Sequence, residues 1–230
     1  MKNAFSLIEL LACQPKPWRR QARAAFSLIE LLVTVAVLAL LAALAAPPLL
    51  ASIERGRVAR VAVDLQTAEV ALEAYRTDHG RYPPVTVSCM DMDQAQVLQL
   101  PTELADGGYL PKNSQSATSS LLEDPFHPGS TYKYVAPENY WMNGSKQDDR
   151  YPIWVPSDFP SCQAPGGQTD DSPNSPLAWA VWSVGPRADP AKALNYKVPL
   201  AGDTWYRKTG DAGVIARYKV RNGATWSTLR

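Results

Sequence analysis

The chain has 230 residues, 20% of them charged, and a formal net charge of +1. That length allows one anchoring segment and one domain of ordinary size. The charge is uneven: residues 1–25 carry Lys2, Lys16, Arg19, Arg20 and Arg23 against Glu9, net +4, and the remainder is −3. A nucleic-acid-binding body is usually basic, so nucleic acid is not expected as a partner.

The heptapeptide FSLIELL occurs twice, at residues 5–11 and 26–32. Only the second copy opens a long apolar run, residues 26–46, in which Glu30 is the sole charge. As a helix rising 1.5 Å per residue that run would be about 31 Å long, enough to cross the hydrocarbon core of a bilayer. A carboxylate costs about 2.5–3.5 kcal/mol at the centre of such a helix and less near an interface, so Glu30 needs a partner. The first copy is too short to span, and Pro15 and Pro17 end any helix there. Arg19, Arg20 and Arg23 ahead of the run predict a cytoplasmic N-terminus and an exported C-terminal body, although Arg55, Arg57 and Arg60 behind it pull the other way. Ala24 and Ala25 precede the apolar run, whereas the cleavage site of a secretory signal follows its apolar core. A cut at this point would leave the run on the mature protein.

Pro47 and Pro48 predict a kink or local unwinding, after which the helix resumes. Over residues 52–79 the pattern is amphipathic: Val61, Leu65, Ala68, Leu72 and Tyr75 form one stripe, with Arg57, Arg60, Asp64, Gln66 and Glu73 off it. Gly80 suits a left-handed cap, His79 a helix C-terminus, and Pro83-Pro84 blocks continuation. The stripe predicts a sheet packed on this half-helix. Short helical turns are expected over residues 95–100 and 102–105, and a Ser-rich loop over 112–120. Strands are expected at 131–135, 151–155, 177–183, 204–207 and 214–220, with a Gly/Pro/Ser/Asp loop at 161–176. Strands in succession without intervening helices predict an antiparallel sheet and an α+β domain. Within 177–183, Trp179 and Trp182 fall on opposite faces, one in the core and one on the sheet surface.

Of the three cysteines, Cys13 would leave with the leader. Cys89 and Cys162 are then candidates for a disulfide in an oxidising compartment. Closing that loop would contribute about 4 kcal/mol in the chain-entropy model, but spacing alone leaves the pairing open. No Gly-Lys-Ser/Thr phosphate loop and no Gly-x-Ser-x-Gly elbow is present, and His79 and His127 have no zinc spacing. An enzyme is not expected.

Taken in order, the residues FSLIELL at 26–32, the apolar run behind them and Pro47 resemble the type IV pilin and type II secretion pseudopilin superfamily. In the body, Gly80-Arg81-Tyr82-Pro83, Asp124-Pro125-Phe126 leading to Tyr132-Lys133-Tyr134, and Ser183-Val184-Gly185-Pro186 look like the major pseudopilin type. The resemblance implies a long N-terminal helix packed on a small antiparallel sheet. It implies cleavage by a prepilin peptidase between Ala25 and Phe26, where the family usually has Gly in place of Ala25, and N-methylation of Phe26. Glu30 would set the register of assembly by meeting a neighbour's new amine, and Pro47 would kink the helix. The implied organisation is a cleaved leader (1–25), a transmembrane or filament-core helix (26–51), an amphipathic half (52–80) and a periplasmic head (81–230).

The implied partners are a homo-oligomeric filament, other pseudopilins, the peptidase, an inner-membrane assembly platform and the membrane itself. The implied location is the bacterial inner membrane, single-pass, with the head periplasmic. Calcium in the loop after the Ser-x-Gly strand is a further implication. Here that loop offers Ser183 and Asp189, with Asp203 and Asp211 further on, while Arg187 and Lys192 intrude. Calcium takes 6–8 oxygens, and the alternative is that these are solvated loop acids. Two other functions stay open: a minor type IV pilin for adhesion or DNA uptake, and a single-span anchored periplasmic binding protein.

Overall fold

A computed structural model describes residues 27–87, 98–111, 122–146, 153–156, 158–159, 168–169, 177–188, 205–221 and 223–229. The chain divides into two compact units, Met1–Ala46 and Pro47–Arg230. Helix α1 (Leu28–His79) contributes to both. Its part in the first unit is apolar on every side and exposed on every side: Leu28 is 85% accessible and Leu44 69%. An all-round apolar helix belongs in lipid or in a packed bundle.

In the second unit, Pro47 and Pro48 lie inside the assigned helix. Each lacks an N–H, so the carbonyls of Ala43 and Leu44 lose their usual helical donors. Further along, Val58, Val61, Leu65, Ala68, Leu72 and Tyr75 are all buried. Their alternating spacings of three and four keep them on one face, the stripe expected from sequence. The helix stops where Gly80 turns left-handed, φ +70°. The Gly80 N–H closes the last turn on the Arg76 carbonyl at 2.8 Å.

The remaining elements are β1 (Val85–Val87), α2 (Thr102–Asp106), β2 (Lys133–Val135), a 3-10 turn (Pro137–Asn139), β3 (Tyr140–Met142), β4 (Ser145–Lys146), β5 (Ile153–Trp154), β6 (Gln168–Thr169), β7 (Leu177–Ser183), β8 (Ile215–Val220) and β9 (Thr225–Ser227). The main sheet runs β2-β7-β8-β9 and is antiparallel throughout. The fold is α+β. A second sheet, β1-β3-β4, includes a parallel pair that pairs Val85 with Tyr140. The β3–β4 hairpin turns on Asn143 and Gly144, both at positive φ, the two-residue geometry that an Asn-Gly pair favours.

All seven residues of β7 are buried. One face lies toward α1, where the Trp179 indole N–H donates to Glu73 at 3.0 Å and the Arg217 guanidinium meets Glu69 at 2.5 Å. The other face carries Trp182 and Tyr218. Tyr218 is covered by Phe159, Trp226 and Trp205, with ring centroids 5.5, 5.8 and 6.4 Å away. Trp179 and Trp182 are 0% and 2% accessible, which corrects the expectation that one of the two sits on the sheet surface. The cover comes from distant segments that periodicity within β7 cannot reveal. Two other expectations change. Of the segment 204–207, the described residues 205–207 contribute an isolated bridge, Trp205 to Val214, in place of a strand, and residue 204 lies outside the described residues. Of the turn expected at 95–100, Gln99 pairs with Lys133 instead, and residues 95–97 lie outside the described residues.

Candidate functional site: an exposed prepilin-type helix and a locked head

The first described residue, Ser27, already accepts the Leu31 N–H at 3.1 Å, so helical bonding starts at the edge of the FSLIELL motif. Glu30 stands in the first turn of α1. A carboxylate there is favoured by the unbonded N–H groups of the helix start. Around it Ile29, Leu31, Leu32 and Val33 are 52–71% accessible. Glu30 is thus an acid in an open apolar surface. Ala25 and Phe26, the expected cleavage and methylation residues, lie outside the described residues, as do Cys89 and Cys162. Pro47 lies within α1.

The head brings together the three body motifs. The Asp124 carboxylate is buried, 1% accessible. It accepts the Ser183 hydroxyl at 2.8 Å, the Val184 N–H at 2.8 Å and the Phe126 N–H at 2.9 Å. Asp-Pro-Phe and Ser-Val-Gly-Pro are therefore two halves of one hydrogen-bonded lock. Burial pushes the Asp124 carboxyl above its ordinary value, opposed by these donors. Gly185 completes the lock. Its φ is +77°, and a Cβ on it would stand 1.8 Å from the Gly213 carbonyl oxygen, so no other residue fits without moving backbone.

Gly-Arg-Tyr-Pro forms a second lock at the helix end. The Tyr82 hydroxyl donates to Glu73 at 3.0 Å and accepts Arg76 at 2.8 Å, while Asn139 binds the Tyr82 carbonyl at 3.0 Å and the Tyr134 hydroxyl binds the Pro83 carbonyl at 3.1 Å. Burial first, and the Glu73 contact after it, raise Tyr82 to about 12. His79 stacks on Tyr75 with centroids 4.0 Å apart and its Nδ1 sits 3.1 Å from the Tyr75 carbonyl. It serves the helix C-terminus as expected.

Ser183 and Asp189 are not shown as a metal pair. The Ser183 hydroxyl is spent on Asp124 and on the Gly185 N–H at 3.0 Å, and Asp189 lies outside the described residues. Asp211 caps its own turn through the N–H groups of Arg207 and Lys208, at 3.3 and 3.0 Å. Among the described residues no group of three metal-binding side chains converges. A contact absent from the sequence reading joins the helix to the loop after β7: Arg187 pairs with Glu54 at 2.6 Å, and the Gly210 N–H adds a bond to Glu54 at 3.2 Å. The partners are 133 residues apart, and nothing local links them. The acids Asp64, Glu69 and Glu73 flank the buried stripe, and that position was the available signal for their contacts with the sheet.

The family model for the prokaryotic N-terminal methylation motif matches residues 20–46. Over 121 residues the chain is 29% identical to type II secretion system core protein G of Pseudomonas aeruginosa, covering 52% of this chain and 78% of that protein. The same protein of Vibrio cholerae is 28% identical over 122 residues, 53% and 75% of the two chains. That of Aeromonas hydrophila is 27% identical over 124 residues, 53% and 79%. No solved structure gives a significant match. The motif at the head of an exposed apolar helix, the α+β body and the similarity to these core G proteins all support the resemblance to the type IV pilin and type II secretion pseudopilin superfamily.

Proposed function

We propose that the chain is a non-enzymatic structural subunit of a type II secretion pseudopilus. The observation that carries this reading is Glu30 at the start of an exposed apolar helix, within the methylation-motif match. The path is cleavage of residues 1–25 by a prepilin peptidase between Ala25 and Phe26, then N-methylation of Phe26. The apolar part of α1 anchors the chain in the inner membrane, N-terminus inside and residues 81–230 in the periplasm. An assembly platform then moves subunits from lipid into a filament that also holds other pseudopilins.

Glu30 supplies the register. In low dielectric an unpaired carboxylate is penalised, while one facing a neighbour's Phe26 amine is compensated. The correct stagger is therefore favoured over its neighbours. The Pro47 kink and a Cys89–Cys162 disulfide belong to the same reading. Calcium at Ser183 and Asp189 is weakened by the internal use of the Ser183 hydroxyl.

The test is N-terminal sequencing after co-expression with a prepilin peptidase. A start at Phe26 is expected. An uncut leader, or a start at Phe5, would sink the reading.

A further inference from the structure

Arg55, Arg57 and Arg60 follow the apolar segment and are not needed by the assembly reading. On the head unit, Arg57 and Arg60 line an open cleft of about 510 Å³ with Ile53, Gly56, Glu123 and Pro125. The space beside Gly56 is open, since a Cβ there would meet nothing within 4 Å. Arg60 lies 3.4 Å from Asp64 with its side chain 57% accessible. Among the described residues Arg57 has no ion-pair or hydrogen-bond partner. The two acids of the cleft differ. Asp124 is sunk into the lock, its oxygens held by internal donors. Glu123 is exposed and commits one oxygen to the Gly129 N–H at 2.6 Å, which leaves the other free to accept.

The position matters as much as the charge. Ile53, Arg57 and Arg60 follow Ala51, the end of the segment 26–51, by two, six and nine residues. That is about 3, 9 and 14 Å along a helix, and long arginine side chains reach back toward an interface. Lipid headgroups occupy about 5–8 Å on each side of the hydrocarbon. Guanidinium groups match phosphate oxygens in a fixed fork, and a carboxylate accepts from a primary ammonium.

Resting on the membrane-anchored reading above, we propose that this cleft binds a phospholipid headgroup of the phosphoethanolamine type. Arg57 and Arg60 hold the phosphate, and the free oxygen of Glu123 takes the ammonium. A glycerol headgroup offers no cation to Glu123, and a quaternary amine offers it no hydrogen to accept.

The test uses the full chain released into detergent from bilayers of equal parts phosphatidylethanolamine, phosphatidylglycerol and phosphatidylcholine, with bound lipid read by native mass spectrometry. Several-fold enrichment of phosphatidylethanolamine is expected, lost in the Arg57→Gln/Arg60→Gln double variant and shifted toward phosphatidylglycerol by Glu123→Gln. All three changes are on exposed side chains, and tryptophan fluorescence checks that each variant is folded. Equal retention of the three lipids, or enrichment of phosphatidylglycerol by the unaltered chain, overturns the proposal. So does a double variant that keeps the enrichment. Neither peptidase nor filament enters this assay, so it can fail while the assembly reading stands.

Discussion

Replacing Asp124 by Ala should be among the most damaging single changes in the head. The carboxylate is 1% accessible and receives two backbone N–H groups and one hydroxyl. Removing it leaves the N–H groups of Phe126 and Val184 without an acceptor, and a stranded buried donor costs about 1–3 kcal/mol. The loss should therefore be about 2–6 kcal/mol, large against a total of about 5–15 kcal/mol for a typical domain. Asp124→Asn keeps one acceptor oxygen and turns a donor toward another donor, so about 1–3 kcal/mol is expected. Urea unfolding of the full chain in micelles, followed by tryptophan fluorescence, measures both.

The pH dependence has a definite sign. Burial raises the Asp124 carboxyl above its ordinary 3.8. Between that value and the folded one, the native state binds more protons than the unfolded state, so this group's contribution to stability falls as pH rises through the window. Asp124→Asn should flatten that slope. A loss below about 1 kcal/mol for Asp124→Ala would refute the lock, and an unchanged slope for Asp124→Asn would show that burial does not outweigh its donors.

Gly185→Ala should cost about 2–5 kcal/mol by the same measurement. Left-handed strain contributes about 1–2 kcal/mol and the forced backbone shift against Gly213 the rest. Leu72→Ala empties a fully buried site on the helix stripe and should lower stability by about 2–5 kcal/mol; a near-neutral result would mean α1 does not pack there. Glu30→Ala should leave cleavage at Phe26 intact and abolish filaments seen by electron microscopy. Normal filaments from that variant would remove the register role.

Several features were legible because their causes are local. The stripe from Val61 to Tyr75 needs only the 3.6-residue period, and its end at His79-Gly80 only the left-handed tolerance of glycine. Strand β7 matched its expected span, 177–183, because an unbroken apolar run between turn residues has few other uses. The Asn143-Gly144 hairpin was equally local, and its signal was present though unread. Other features were not local. Asp124 looks like any loop acid until β7 delivers Ser183 and Val184 to it. Tyr218 looks half-exposed until Phe159, Trp205 and Trp226 arrive from three other segments to cover it. The parallel pairing of Val85–Val87 with Tyr140–Met142 joins segments too short to announce themselves as strands.

By itself the sequence determined the membrane-length apolar run, the placement of one acid within it, the amphipathic half that follows and the α+β class. Each rests on periodicity or composition, which act between neighbours along the chain. Tertiary structure alone decided which polar groups meet: Asp124 with Ser183 in the interior, Glu73 with Tyr82 and Trp179 partly buried, and Glu54 with Arg187 at the surface. Those pairings depend on contacts that folding creates between residues from nine to 133 positions apart, and no local pattern encodes them.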